Sequence, residues 1–261
     1  MSDLLKRSVL SLLETAYGVF ALALFILCVL SAFVIVLLPL GIAARRYAAH
    51  ALARAFFWSA GMPLRVINAD NLPPGPCVIV ANHASYLDGV VLKAALPARF
   101  CFVIKKEVTR VPIAGLLLRR IGSEFVDRFN RHAGGMDARR LIKAADAGQA
   151  LAFFPEGTFL PYPGMGKFHS GAFTIAVRAG LPVVPVGICG TRRILPSGRL
   201  LPRPGVIDIH ILPALALTPE LNPSSAAATL REQSRTRILA AIGEPDLAGI
   251  DGVAALQSRR L

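Results

Sequence analysis

The chain has 261 residues, 54% of them hydrophobic, and carries a formal net charge of +13 at pH 7. This length suits one domain of ordinary size with an appendage, and the hydrophobic excess over the globular norm predicts a membrane segment. The positive charge favours anionic partners. Because neither clustered basic helices nor aromatic platforms are present, a lipid surface or a phosphorylated substrate is a better partner than nucleic acid.

A charge-free stretch near the N-terminus predicts a membrane helix. No charged residue occurs in residues 15–44. The most apolar part, residues 17–38, makes about 33 Å of helix at ~1.5 Å per residue, which matches a hydrocarbon core of about 30 Å. It is too long for a signal peptide, and no small-residue cleavage site follows it.

The charges on either side of this stretch predict its orientation. Lys6 and Arg7 precede it but are offset by acidic neighbours, whereas three arginines follow it without a nearby acid: Arg45, Arg46 and Arg54. The positive-inside bias places the C-terminal side in the cytoplasm. Residues 44–60 combine these arginines with His50 and four aromatic residues, which is typical of a helix in the headgroup layer. Residues 1–60 are therefore predicted to be a membrane anchor.

Beyond the anchor, short apolar runs alternate with helical stretches. Strands are predicted at residues 64–68, 76–81, 100–104, 124–126, 151–154, 183–186 and 206–211. Helices are predicted at residues 89–96, 113–121, 134–147, 172–179 and 225–242, and the tail from residue 243 is expected to be loosely held. This alternation predicts an α/β fold with αβα layers, in which helices cover both faces of a mostly parallel sheet of about seven strands.

The polar stretch N-H-A-S-Y-L-D, residues 82–88, lies between a predicted strand and a predicted helix. His83 and Asp88 therefore leave the carboxyl end of a strand, where open α/β sheets place their ligands. Their spacing lets the carboxylate fold back onto the imidazole, fix its tautomer and stabilise the imidazolium, as in a catalytic triad without its serine. The structural alternative is a histidine that caps the helix, with the aspartate in its first turn.

Three further blocks follow in order: G-S-E-F-V-D-R at residues 122–128, F-P-E-G-T at 154–158 and L-P-V-V-P-V at 181–186. Together with N-H-A-S-Y-L-D they resemble the four blocks of the glycerolipid acyltransferases, the family of 1-acyl-glycerol-3-phosphate acyltransferases. The resemblance covers roughly residues 60–215. It implies that residues 61–261 transfer a fatty acyl group to the free hydroxyl of lysophosphatidic acid, with acyl-CoA or acyl carrier protein as co-substrate and no cofactor.

The resemblance also implies roles for individual residues. His83 acts as general base and Asp88 orients it, and no covalent intermediate is expected because Ser85 lacks the spacing of a nucleophile elbow. The predicted substrate-binding residues are Asn82, Lys105, Arg128, Glu156, Gly157 and Thr158. Glu156 is similar to a family residue that binds the glycerol end of the acceptor.

Other features of these residues support the assignments. Arg128 offers a planar fork for phosphate, with a surface ion pair as the alternative. Gly157 lets the backbone approach a ligand, so its amide cradles phosphate or helps hold an oxyanion. No metal is expected, because the five histidines are scattered without ligand spacing. The four cysteines form no C-x-x-C pair and are interpreted as core residues in a reducing compartment.

The third block departs from the family pattern. It commonly continues F-P-E-G-T-R, and the family's arginine is expected to bind the acceptor's phosphate, but here Phe159 stands in its place. The phosphate is then held by other groups, with Lys105, Arg128, Lys167 and Arg192 as candidates, or it carries a headgroup. Lysophosphatidic acid is expected as the acceptor on family grounds, and a lysophosphodiester lipid such as lysophosphatidylethanolamine is the alternative.

A basic segment and two rival functions complete the interpretation. Arg192, Arg193, Arg199 and Arg203 have no acid among them and predict a solvated basic face, which contacts anionic lipid or acyl carrier protein. The rivals are a hydrolase, in which His83 activates water against a thioester or phospholipid, and a lipid-binding protein without turnover. The anchor either crosses the bilayer or dips into one leaflet with its neighbour, as members of the resembled family can do, and the folded domain faces the cytoplasm.

Overall fold

Seven strands form one mixed sheet in the computed structural model, which describes residues 3–127, 131–217 and 222–249. The strands are β1 (Leu64–Ile67), β2 (Val78–Ala81), β3 (Cys101–Lys105), β4 (Glu124–Val126), β5 (Leu151–Phe153), β6 (Val183–Cys189) and β7 (Ile207–Ile211). Their order is β1-β7-β6-β2-β5-β3-β4. All neighbours pair in parallel except β6 and β7, which are antiparallel. The predicted α/β fold is confirmed, with each strand at its predicted place.

Helices cover both faces of this sheet. They are α1 (Asp3–Leu37), α2 (Ile42–Ser59), α3 (Asp88–Ala95), α4 (Pro112–Arg120), α5 (Arg131–Asp146), α6 (Gly171–Arg178), α7 (Thr191–Ile194) and α8 (Pro223–Ile242). One apolar core joins the sheet to α2 and α3, and a second joins its other face to α5, α6 and α8. Because both faces are covered, the central strand β2 is apolar and buried at every position. Among the α-helices that the structure describes, the short α7 had no counterpart in the predicted elements.

Helix α1 begins well before the predicted apolar stretch and packs against the folded domain. Its segment Lys6–Leu37 is long and apolar enough to cross a membrane. The Tyr17 hydroxyl donates to the Ala60 carbonyl at 2.8 Å, and the Phe25 ring meets Phe56 edge-on at 5.3 Å. Ala21 is fully buried in the first core. Helix α1 is therefore part of the packed structure on one side and apolar on the other.

Two basic residues of α2, Arg46 and His50, face the folded domain, which corrects their assignment to the headgroup layer. Arg46 is buried and donates to the carbonyls of Ile121 (2.9 Å) and Gly122 (3.0 Å), at the C-terminus of α4. This position suits a cation, because the carbonyl end of a helix is partly negative. His50 also points inward, with Nδ1 3.0 Å from the Lys93 carbonyl. Arg54 is exposed but its Nη1 also reaches the Ala94 carbonyl, at 3.5 Å, whereas Tyr47 and Trp58 are exposed on the outer side of the helix.

The segment that follows α8 is docked, and the expectation of a loosely held tail from residue 243 is wrong for residues 243–249. Asp246 pairs with Arg235, forms a β-bridge with Met165, and is followed by Leu247, which is buried against Leu160. The contacts of Leu247 with Leu160 and of Asp246 with Met165 join residues far apart in the sequence, so composition alone gave no sign of them.

Candidate active site

The site lies at the carboxyl end of β2, near the middle of the sheet. Strand β2 has parallel neighbours on both sides, β6 and β5. Its last residue is Ala81, and residues 82–87 turn from the strand into α3, which begins at Asp88. The polar block therefore stands at the edge where open α/β sheets bind ligands.

His83 and Asp88 form a hydrogen-bonded pair, as their spacing predicted. His83 Nδ1 lies 2.8 Å from Asp88 Oδ2, and this oxygen also accepts from the amides of Ala84 (2.5 Å) and Ser85 (2.8 Å). The Asp88 side chain is fully buried, whereas the His83 side chain keeps 20% of its surface exposed. Because a carboxylate only accepts hydrogen bonds, Nδ1 carries the proton and Nε2 is left as the basic nitrogen. The alternative of a helix-capping histidine does not describe this contact.

Asn82 has a different environment from the one its assignment implied. It is buried, its amide nitrogen donates to the Ile188 carbonyl at 3.0 Å, and its oxygen accepts from the Ile188 amide at 2.7 Å. This two-point contact fixes the end of β2 to β6 next to His83. Asn82 is therefore a positioning residue in this structure, and its contact with substrate stays a prediction.

Glu156 is the second buried carboxyl of the site. Its side chain is 1% exposed, with Oε1 accepting from the His83 amide at 2.7 Å and Oε2 accepting from the Gly166 amide at 2.8 Å. Desolvation by burial raises its pKa to about 8. Both oxygens are occupied by backbone donors, so Glu156 joins the third block to the His83 backbone. Its contact with the glycerol end of the acceptor stays a prediction.

The raised pKa of Glu156 predicts a stability that falls with pH. Between the ordinary value of 4.5 and about 8, the folded state binds more protons than the unfolded chain, so the free energy of unfolding decreases as pH rises through this window. Glu156→Gln should remove that slope and, with one acceptor oxygen for two amides, cost about 1–3 kcal/mol at pH 5–6. Thermal denaturation from pH 5 to 9 measures both effects, with the exposed Glu232→Gln as control. Parallel Tm profiles for wild type and Glu156→Gln would contradict this role.

Gly157 and Thr158 form a turn at the edge of the site. Gly157 has φ +79°, a conformation that favours glycine, and its amide donates to the Phe154 carbonyl at 3.0 Å. The amide is thus engaged in the turn in this structure, and its use as a phosphate cradle or oxyanion donor stays a prediction. Thr158 is partly exposed beside it, and its contact with substrate stays a prediction.

Two aromatic rings pack against His83 and a third contacts one of them, and the sequence interpretation gave none of them a role beside the histidine. Phe154 stacks on the imidazole with ring centroids 4.4 Å apart, and Phe159 meets it edge-on at 4.8 Å. Phe159 also contacts Tyr86 edge-on at 4.7 Å and is only 9% exposed. The residue that replaces the family's arginine therefore packs directly against the catalytic candidate. The sequence offered one signal for this contact, namely that Phe159 directly follows the E-G-T turn.

The expected phosphate-binding cations are in different situations. Lys105 ends β3 and is partly exposed, and Lys167 is exposed. Arg192 is taken up by the carbonyls of Leu160 and Tyr162, both at 2.8 Å, and by Glu244. Arg128 lies outside the described residues.

The predicted basic face is largely neutralised. Arg192 pairs with Glu244, and Arg199 and Arg203 both pair with Glu14 of α1, whereas Arg193 is exposed.

Among the residues that the structure describes, no group of three or more His, Cys, Asp or Glu side chains could hold a metal ion. The buried Ser85 hydroxyl donates to the Leu195 carbonyl at 2.7 Å, so it is engaged in holding the turn.

Comparisons with known proteins show which family the chain resembles. A family model described as Acyltransferase matches residues 63–189. A 1-acyl-sn-glycerol-3-phosphate acyltransferase of Chlamydomonas reinhardtii is 31% identical over 211 residues, covering 78% of this chain and 61% of the relative. A lyso-ornithine lipid O-acyltransferase of Pseudomonas aeruginosa is 33% identical over 144 residues, covering 54% of this chain and 53% of the relative. The chain thus spans less than two thirds of the length of these curated relatives.

The fold is also that of a solved structure. The crystal structure of the 1-acyl-sn-glycerophosphate (LPA) acyltransferase PlsC from Thermotoga maritima superposes with a TM-score of 0.65 at 24% identity, covering 88% of this chain and 97% of that one. At this identity the match concerns the fold. Together with the four blocks, the matches confirm the resemblance drawn from the sequence: residues 63–189 match an acyltransferase family model, and the chain is similar to the glycerolipid acyltransferases.

Proposed function

We propose that the protein transfers a fatty acyl group from a thioester, acyl-CoA or acyl carrier protein, to the free glycerol hydroxyl of lysophosphatidic acid, giving phosphatidic acid. The observation that carries the proposal is the His83–Asp88 hydrogen bond of 2.8 Å at the carboxyl edge of the sheet. It leaves the basic Nε2 as the free nitrogen of an imidazole that is still 20% exposed. A base in this position is the group that acyl transfer to a hydroxyl requires.

In the proposed reaction, His83 Nε2 removes the proton from the glycerol hydroxyl as its oxygen attacks the thioester carbonyl. Asp88 keeps the ring in place and stabilises the imidazolium by a charge-assisted hydrogen bond. The tetrahedral intermediate then collapses, the carbon–sulfur bond breaks, and the imidazolium returns the proton to the thiolate. The products are the new ester and the free thiol of the donor. Phe154 and Phe159 restrict water around the ring, which favours transfer over hydrolysis.

A second candidate differs only in the acceptor. Phe159 offers no charge where the family's arginine is expected to hold a phosphate, and it covers the imidazole edge instead. This observation favours a lysolipid without a phosphomonoester, such as lysophosphatidylethanolamine. The Pseudomonas aeruginosa relative is named for a different acceptor, a lyso-ornithine lipid. Its identity to this chain, 33%, is close to the 31% of the relative from Chlamydomonas reinhardtii. The proposed chemistry at His83 is the same for either acceptor.

Membrane attachment through α1 is part of the same proposal. One side of α1 is bound to the domain, where Glu14 pairs with Arg203 at 3.1 Å and Tyr17 bonds to Ala60. Large apolar residues are exposed about every two turns along α1: Leu13, Phe20, Leu27 and Val34. A helix held sideways with such a stripe suits burial in one leaflet better than a crossing. The folded domain then lies on the cytoplasmic side, as the flanking charges predict.

Dependence of thiol release on the acceptor tests the proposed function against its rivals. The purified chain in vesicles is given a long-chain acyl-CoA or acyl carrier protein, with and without lysophosphatidic acid, and both free thiol and lipid products are measured. An acyltransferase releases thiol in step with phosphatidic acid and only when the lysolipid is present. Equal thiol release without acceptor would identify a hydrolase, and binding without product would identify a lipid-binding protein.

A further inference from the structure

We propose that residues 106–113, the connection between β3 and α4 together with the first two residues of α4, insert into an anionic bilayer and form a second membrane contact beside the proposed anchor. We call these residues the β3–α4 tip. Two large apolar side chains stand on either side of Pro112 in this tip, Val111 at 52% and Ile113 at 43% exposure. Adjacent exposed apolar residues at a chain reversal are more than the scattered apolar residues found on ordinary surfaces.

Hydrogen bonds fix the turn that carries these two exposed side chains. Residues Lys106–Arg110 form a 3₁₀-helix, closed by a bond from Thr109 Oγ1 to the Lys106 carbonyl at 2.7 Å. The Val111 carbonyl accepts from the Gly115 amide at 2.7 Å. A Cβ at Gly115 would lie 2.6 Å from the Thr109 carbonyl oxygen, so glycine permits α4 to close tightly onto the turn. The tip is therefore held in shape with its apolar residues outward.

Charge around the tip fits an anionic surface. Lys106 and Arg110 are both exposed in the 3₁₀-helix, and Lys105 precedes them at the end of β3. Lys106 approaches Asp127 only to 3.6 Å and keeps 62% of its side chain exposed. Apolar residues that enter the acyl boundary, flanked by lysine and arginine at headgroup level, are the combination that binds anionic bilayers.

The position of the tip selects a bilayer as its occupant. Helix α4 packs beside α1, whose outward stripe is apolar. The tip also begins at the carboxyl end of β3, the same edge of the sheet at which His83 leaves β2. A bilayer in which the exposed apolar side of α1 is buried, as proposed above, would thus also contact the β3–α4 tip and lie next to the edge of the sheet that carries His83.

The single tryptophan of the chain makes a local test possible. Trp58 is 85% exposed on α2 and is replaced by phenylalanine, and one new tryptophan is placed at Ile113. A matched protein carries Gln233→Trp, an exposed position on α8 in the opposite layer. Each full-length protein is bound to vesicles of phosphatidylethanolamine and phosphatidylglycerol with brominated acyl chains, and quenching of its fluorescence is measured. Val111→Trp in the same background provides a second probe should one variant fold poorly.

We expect several-fold stronger quenching at residue 113 or 111 than at residue 233. Quenching at the tip no stronger than at residue 233, with the protein still bound to the vesicles, would overturn the proposal. A change in the fluorescence of the tip tryptophan that requires added acyl carrier protein, or that grows with protein concentration, would also overturn the proposal. It would assign the surface to a protein partner. The readout does not depend on acyl transfer, so failure here leaves the proposed function untouched.

Discussion

His83→Ala should lower the acyl-transfer rate of the purified protein by roughly 10²–10⁴-fold, the range that a positioned general base contributes. Vesicle binding and the fold should persist, because the imidazole is partly exposed and its ring contacts are few. The matched control is His210→Ala on β7, a histidine away from the carboxyl end of β2. The measurement is thiol release with lysolipid present, together with binding to acceptor-containing vesicles.

Asp88→Asn should have a smaller effect. The amides of Ala84 and Ser85 both point at Asp88 Oδ2, so an asparagine will place its oxygen there and not its amino group. That oxygen still accepts from His83 Nδ1, which keeps the tautomer, but the imidazolium loses its charged partner. The difference between a charge-assisted and a neutral hydrogen bond is about 1–1.5 kcal/mol, or roughly tenfold in rate.

The two variants are informative together. A His83→Ala protein that retains more than a few per cent of the wild-type rate would contradict general-base catalysis at this site. An Asp88→Asn protein as inactive as His83→Ala, and still folded, would contradict the argument that the backbone amides preserve the ring's tautomer.

The elements of this fold were predictable because each is specified locally. The strand Val78–Ala81 is a run of apolar residues bounded by turn residues, and the helix after it begins where the polar block ends. The pairing of His83 with Asp88 was predictable for the same reason, since both lie on one short turn. Hydrophobic periodicity and short-range geometry carry this information.

What could not be predicted depends on contacts between distant residues. Glu156 looks like a ligand in sequence, but its oxygens are bound by amides at residues 83 and 166 that only the folded chain brings together. Arg203 looks free, but Glu14 of α1 lies beside it. In both cases a polar group was assigned to a partner outside the chain because its partner within the chain was invisible. A buried polar group is nearly always hydrogen-bonded, yet the sequence does not say to what.

Phe159→Arg should raise kcat/KM for lysophosphatidic acid relative to lysophosphatidylethanolamine by about tenfold or more. A phosphomonoester bears nearly two negative charges near pH 7 and a phosphodiester bears one. Each charge-assisted hydrogen bond from the new guanidinium is worth about 1.5–3 kcal/mol, and the monoester offers more charge to it. The ratio is the quantity to measure, because the aromatic contacts of Phe159 with His83 and Tyr86 are lost for both acceptors.

Phe159→Leu is the control that separates charge from shape. It removes the ring that covers the imidazole, so both acceptors should react more slowly or with more hydrolysis, while their ratio stays near that of the wild type. A rise in the ratio for arginine alone would place residue 159 within reach of the acceptor's phosphate. An unchanged ratio in a folded Phe159→Arg protein would mean that residue 159 faces only the imidazole. Phosphate recognition would then rest on other cations, with Lys105, at the end of β3, the first to replace.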